Sequence, residues 1–267
     1  MWVFSKDGAH VKRKSPEKLF AAGQPYTLRS PDGSRDLRIE QGLATIEDKF
    51  VRIRRSKIDK QHKISIEEKV WIVMFVAAMR ARTNLALKQI SAQYGFLLER
   101  GQAIQTALDE ASPERRAEML KALSSPFPSA GPSMTLEDVK AVVEEPQTLL
   151  FPAMCLQASV MYRMEMIFME ATCGRAFITS DNPVTWVDPT ACERSAGARF
   201  FGIGSPSVEV TMPVSPDLAV LFVHQSDLTG YIKIEAAVVE EINRRVRHFA
   251  AGEFVASASA RETHWFD

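Results

Sequence analysis

Five large apolar residues, Ile39, Leu43, Ile46, Phe50 and Ile53, recur at spacings of three and four, which lays them along one stripe of a helix. The pattern predicts a helix from about Asp36 to Lys57 and leaves no period of two for a strand there. Ser65 followed by Glu68 forms a capping box ahead of a second helix. Its Val70 to Met79 segment is apolar all round, which places it at the centre of a core. A bend or end is expected near Arg82-Thr83-Asn84, then a further helix to about Leu108, with helix starts at Ser112-Pro113 and at Thr135 with Asp138. A long helix is expected from Gln147 to Thr172, with Pro152 near its start. Its methionines, Met154, Met161, Met164, Met166 and Met169, read as core filling rather than as a promiscuous binding face.

Strand patterns occupy the two ends. Near the start these are Trp2-Val3-Phe4, Val11 and Pro25-Tyr26-Thr27-Leu28, the last ahead of a turn at Ser30-Pro31-Asp32-Gly33. Past Gly174, strands are expected at Arg175 to Thr179, Thr185 to Val187, Val208 to Val214 and Leu218 to His224. An amphipathic helix from Ile234 to Ala250 and an apolar tail, Phe254-Val255-Ala256, follow. Helices and strands are segregated, so the expected class is α+β, a helical N-terminal and middle region packed on a mostly antiparallel C-terminal sheet. One domain covers 1–267, with candidate subdomains 1–123 and 133–267 on either side of the Ser, Pro and Gly cluster at 124–132.

Composition narrows the function classes. Lys and Arg equal Asp and Glu at 33 each, so there is no strong nucleic-acid signal of the kind a duplex-coating protein carries. The three cysteines, Cys155, Cys173 and Cys192, are odd in number and widely spaced, which fits a reducing cytoplasm better than a disulfide framework. The N-terminus lacks the order of a secretion signal, and the Val70 to Met79 run falls far short of the about 20 residues that cross a bilayer. A soluble, intracellular protein is expected.

Common motifs are absent or incomplete. Gly202-Ile203-Gly204 is followed by Pro206 and a strand, without the helix N-terminus that holds phosphate. The five histidines show no paired ligand spacing, and no nucleophile elbow occurs. Carboxylates offer more. Glu40 and Glu47, seven apart, share the edge of the apolar stripe at about 10 Å along the axis. Arg80 and Arg82, at the end of the apolar second helix, need carboxylate partners or an anionic ligand. These four residues build either a structural Glu-Arg network between two helices or an anion pocket. Asp181 stands in Thr179-Ser180-Asp181-Asn182-Pro183-Val184, where Pro183 forces a turn at a strand end. There, Ser180, Asp181 and Asn182 either make ordinary turn bonds or converge on a polar ligand. The run Arg244-Arg245-Val246-Arg247-His248 complements a helix dipole, and Asn243 before it is placed to bond a neighbouring loop.

In order along the chain, Pro25-Tyr26-Thr27, the Glu40 and Glu47 helix, Arg80 and Arg82, the Phe177 to Val184 phrase, Met212-Pro213-Val214-Ser215-Pro216 and Asn243 resemble a large bacterial family of unknown function, DUF4238. Its members carry a TSDNPV-like phrase late in the chain. The resemblance covers almost the whole sequence, but only that phrase is specific. It also implies an N-terminal HYVPQ-like segment that is not found here; either translation starts further upstream or the chain has lost a candidate site segment. No reaction comes with the resemblance.

Two functions follow as expectations. The first is a metal-assisted hydrolase of phosphodiester or related anionic substrates, with Asp181 and Glu40 or Glu47 as base or ligands to a divalent metal ion. Arg82 would stabilise charge, and Arg80, Ser180, Asn182 and Asn243 would bind substrate. It requires Asp181, Glu47 and Arg82 to meet in one pocket. The second is a non-catalytic binding or regulatory protein for a small-molecule or anionic ligand, in which the same residues brace the helices against the sheet.

Overall fold

A computed structural model of the chain describes residues 1–16, 19, 28–29, 35–123, 134–172, 174–191 and 202–266. In chain order the elements are β1 (Trp2–Ser5), β2 (Val11–Arg13), β3 (Leu28–Arg29), β4 (Arg35–Asp36), α1 (Arg38–Ser56), α2 (Ile66–Ala81), α3 (Asn84–Glu110), α4 (Pro113–Leu123), α5 (Leu136–Glu144), α6 (Leu150–Arg163), β5 (Glu165–Ala171), β6 (Thr179–Ser180), β7 (Thr185–Val187), β8 (Glu209–Ser215), β9 (Leu218–Val223), β10 (Gly230–Ile234), α7 (Ala236–Phe249) and β11 (Glu253–Ala256). The class is α+β. A five-stranded sheet runs β10-β5-β9-β8-β7, antiparallel except for the β10 and β5 pair, and an antiparallel four-stranded sheet runs β2-β1-β11-β6. β3 and β4 pair antiparallel.

The described residues form two units, Met1–Leu85 with Leu150–Asp267, and Ala86–Leu149. The Ser, Pro and Gly cluster at 124–132 lies outside the described residues, as do the Pro25-Tyr26-Thr27 segment, the Ser30 to Gly33 turn, Cys173 and Cys192. The smaller unit is helical. In it Leu108, Val139 and Val142 are buried, the Ser91 hydroxyl donates to the Val143 carbonyl at 3.1 Å, and α5 opens with a capping box of Thr135 and Asp138.

In the larger unit the five-stranded sheet is covered on both faces. One face meets α1, α2 and α6: the predicted stripe Ile39, Leu43, Ile46, Phe50 and Ile53 is buried against Ile72 and Val76 of α2 and against Phe168, Val210, Val220 and Phe222 of the sheet. The other face, with Ile167, Met169 and Ala219, meets Val239, Ile242 and Val246 of α7 and Phe4 and Phe254 of the smaller sheet. α2 begins at the Ser65 and Glu68 capping box, as its sequence predicts.

Double coverage explains the main correction to the secondary structure. The helix expected over 147–172 ends at Arg163, and 165–171 is instead β5, a strand between β10 and β9. A strand buried on both faces loses its polar alternation and reads as a continuous apolar run, which periodicity alone does not separate from a buried helix. Met154, Met161, Met164 and Met169 are indeed buried, but the last belongs to the sheet. The final helix stands at Ala236–Phe249, within its expected span, and Gly230–Ile234 just before it is β10, a strand the sequence pattern did not single out. The expected strand at 175–179 shrinks to Thr179–Ser180; before it the Phe177 N–H donates to the Pro216 carbonyl, and a side chain, rather than a neighbouring strand, takes the Ala176 carbonyl and the Ile178 N–H.

Candidate functional site

That side chain is Asn243, buried in α7. Its Oδ1 accepts from the Ile178 N–H at 2.9 Å and its Nδ2 donates to the Ala176 carbonyl at 2.9 Å. One amide thus supplies the donor and acceptor that a strand neighbour would otherwise provide. The next bonds go to the end of the same helix and the turn beyond it. Asn182 Nδ2 donates to the Phe249 carbonyl at 3.0 Å, and the Asn182 N–H donates to Ser180 Oγ at 3.2 Å, with both residues buried.

Asp181 completes the set. Its Oδ1 accepts from the Ala251 N–H at 2.7 Å, and its Oδ2 accepts from Gly252 at 2.7 Å and from Glu253 at 3.1 Å. The Asp181 N–H donates to the Glu253 carbonyl at 3.1 Å. Three successive backbone donors around one carboxylate form a concave anion seat, filled here from within the chain. Past Pro183 the phrase is held from its other side. Arg80, in the last turn of α2, donates to the Val184 carbonyl at 3.4 Å and lies over the Trp186 ring with its guanidinium carbon 3.4 Å from the centroid. Burial lowers the Arg80 pKa to about 10, and the ring face offsets part of that cost.

Arg82 follows α2 and pairs with Glu47 of α1. Glu40 sits half-buried in the first turn of α1. The structure therefore brings Arg80, Ser180, Asp181, Asn182 and Asn243 to a single backbone segment, and Glu47 to Arg82. The cleft beside the phrase is lined, among the described residues, by none of Asp181, Glu47 and Arg82. Among the described residues, no three His, Cys, Asp or Glu side chains gather as a metal-ligand set.

The phrase does border a cleft, by its apolar side. A space of about 310 Å³ is walled by Thr179 and Pro183 at the two ends of the turn, by Phe50 and Arg54 of α1, by Phe75 and Met79 of α2, by the 212–216 stretch and by Val255 to Ser257. Phe50 and Phe75 stack at 3.8 Å between centroids. The Met212 to Pro216 stretch, part of the sequence resemblance, ends β8 with a register shift between Pro213 and Ser215. Sequence reasoning did not single out Phe50, Phe75 or Arg54 as site residues. Phe50 carried only a core signal, and Arg54 lies one turn beyond it on the same helix face.

An α+β protein with a doubly covered sheet, a bracketed turn and an apolar cleft beneath that turn is the class that fold and site define. The chain matches, over residues 1–261, the family described as "Protein of unknown function (DUF4238)". It belongs to that family. No curated protein and no solved structure matches it. Among the described residues, no single helix is long and apolar enough to cross a membrane.

Proposed function

We infer that the chain is a non-catalytic binding protein, whose ligand is a small, mainly apolar molecule held in the cleft between α1, α2 and the 212–216 stretch. The observation that carries this reading is the division of labour in the Thr179 to Val184 phrase. Asp181 is engaged by three backbone amides and Asn182 Nδ2 by the Phe249 carbonyl, with Asn182 Oδ1 buried and without a hydrogen-bond partner, whereas Thr179 and Pro183 face the cleft. The phrase is then a scaffold that fixes one wall. A carboxylate that ended in solvent near a second acid or a cation would favour chemistry; this one is occupied. At about 310 Å³ the cleft lies at the small end of ligand sites, which run from about 300 to 1,000 Å³.

The test uses a neutral apolar reporter, N-phenylnaphthylamine, titrated into the full chain. Saturable one-to-one binding is expected, and it is lost in Val214→Trp or, on the rim, Ser257→Trp, each of which fills the space. Asp181→Asn is expected to keep binding at a temperature where the variant is folded. Absence of saturable binding, or binding untouched by both tryptophans, contradicts the reading.

A further inference from the structure

We propose that the ligand of this cleft is an amphipathic monoanion, a short aliphatic or aryl chain ending in one carboxylate, and that Arg54 reads the carboxylate. The inference rests on the cleft being a ligand site and adds the chemistry of what enters it.

Among the cleft's described lining residues Arg54 carries the one charged side chain, and Met1 adds the terminal amino group, which donates to the Lys14 carbonyl at 3.2 Å; the rest of the wall is aromatic, aliphatic, thioether, proline or hydroxyl. Cleft walls of low polarity strengthen a single charge, so a ligand of the opposite sign is favoured and a cationic one is repelled. The guanidinium is only partly engaged. Its Nε donates to Asp59 Oδ1 at 3.3 Å, a long bond between two side chains that are 38% and 46% exposed. A guanidinium has five N–H donors in a planar fork that matches a carboxylate.

Position gives the ligand its two parts. Arg54 stands four residues after Phe50 on α1, so the cation and the Phe50 ring, which stacks on Phe75 of α2, lie along one face of α1. A molecule seated on the rings therefore reaches the cation with its end. The volume of about 310 Å³ suits one short chain or ring system and not a nucleotide or a two-chain lipid. Asp59 beside Arg54 offsets part of its charge, which suits a monoanion and disfavours a phosphate dianion.

The test titrates decanoate, decanol and decyltrimethylammonium, each below its micelle concentration, into the full chain by calorimetry. Decanoate is expected to bind one-to-one and about tenfold tighter than decanol, the order of a charge-assisted hydrogen bond, with the ammonium weakest. Arg54→Gln removes that tenfold advantage and leaves decanol unchanged. Asp59→Asn, which frees Arg54 from its competing carboxylate, tightens decanoate about threefold to tenfold by the same reasoning, and this opposite sign keeps the test open where Arg54→Gln unfolds. Equal affinity for decanoate and decanol, or decanoate binding indifferent to both substitutions, overturns the anionic inference while leaving the cleft as an apolar site. If neither decanoate nor decanol binds, both the inference and the cleft reading fall.

Discussion

The carboxylate of Asp181 accepts the backbone N–H of Gly252 at 2.7 Å across seventy-one residues of chain, and the neighbouring Ala251 and Glu253 amides point at the same two oxygens. This seat ties the turn after β6 to the turn before β11, two elements that are themselves paired as antiparallel strands.

Asp181→Asn replaces one acceptor oxygen with an NH2 that faces backbone donors. The substitution is expected to lower stability by about 1–2 kcal/mol, since the lost bonds are charge-assisted but partly solvated. Urea denaturation checks it through a shifted midpoint at unchanged slope.

Asn243→Ala is expected to cost more, about 2–4 kcal/mol, because it leaves the Ile178 N–H and the Ala176 carbonyl without their partner beside a buried helix. Asn243→Asp keeps the acceptor for Ile178 but turns an oxygen toward the Ala176 carbonyl, so it does not restore stability. Melting temperatures of the two variants against wild type decide the point.

Gly42→Ala is expected to destabilise by about 1 kcal/mol, although alanine is the better helix former by a similar amount. A Cβ at Gly42 falls 2.5 Å from Phe151 Cζ, and Phe151 packs against the main core, so overpacking opposes propensity. A rise in melting temperature contradicts this packing of α1 on α6.

Glu68 supplies a pH dependence. The Ser65 backbone N–H, and to a smaller degree the Ser65 hydroxyl and Lys57, hold its carboxyl below the ordinary value against an opposing effect of burial. A carboxyl depressed in the folded state stabilises fully above its unfolded pKa and loses that contribution as pH falls through the folded one. Stability of the wild type therefore drops with acidification over that window, and Glu68→Gln flattens the drop. Denaturant midpoints measured from neutral to acid pH, compared between the two proteins, give the difference.

The sequence announced what local chemistry controls. The α1 stripe, both capping boxes and the all-apolar α2 carry their signals within a few residues, and each stands where its pattern predicts. β5 was hidden because its environment is set by elements far along the chain: α6 and α2 cover one face, α7 the other, and a run apolar on both faces has no readable period. The Thr179 to Val184 phrase was conspicuous, but its meaning was not local. Whether Asp181 is a free acid or a seated one depends on the amides of residues 251–253, whose own sequence, Ala-Gly-Glu, gives no hint of an anion seat. Arg54 was invisible for the opposite reason: one arginine among Arg52, Arg54 and Arg55 at a helix end reads as dipole compensation, and only the fold shows which of them meets the cleft.

The central claim is that Asp181 is a bracket. Amide hydrogen exchange at Ala251, Gly252 and Glu253 tests it most directly, comparing wild type with Asp181→Asn under conditions where both are folded. Protection of all three amides in wild type, and exchange at least about tenfold faster at Ala251 and Gly252 in the variant, is the expected result, corresponding to loss of about 1.4 kcal/mol of local stability. Unprotected amides in wild type, or exchange that the substitution leaves unchanged, would contradict it.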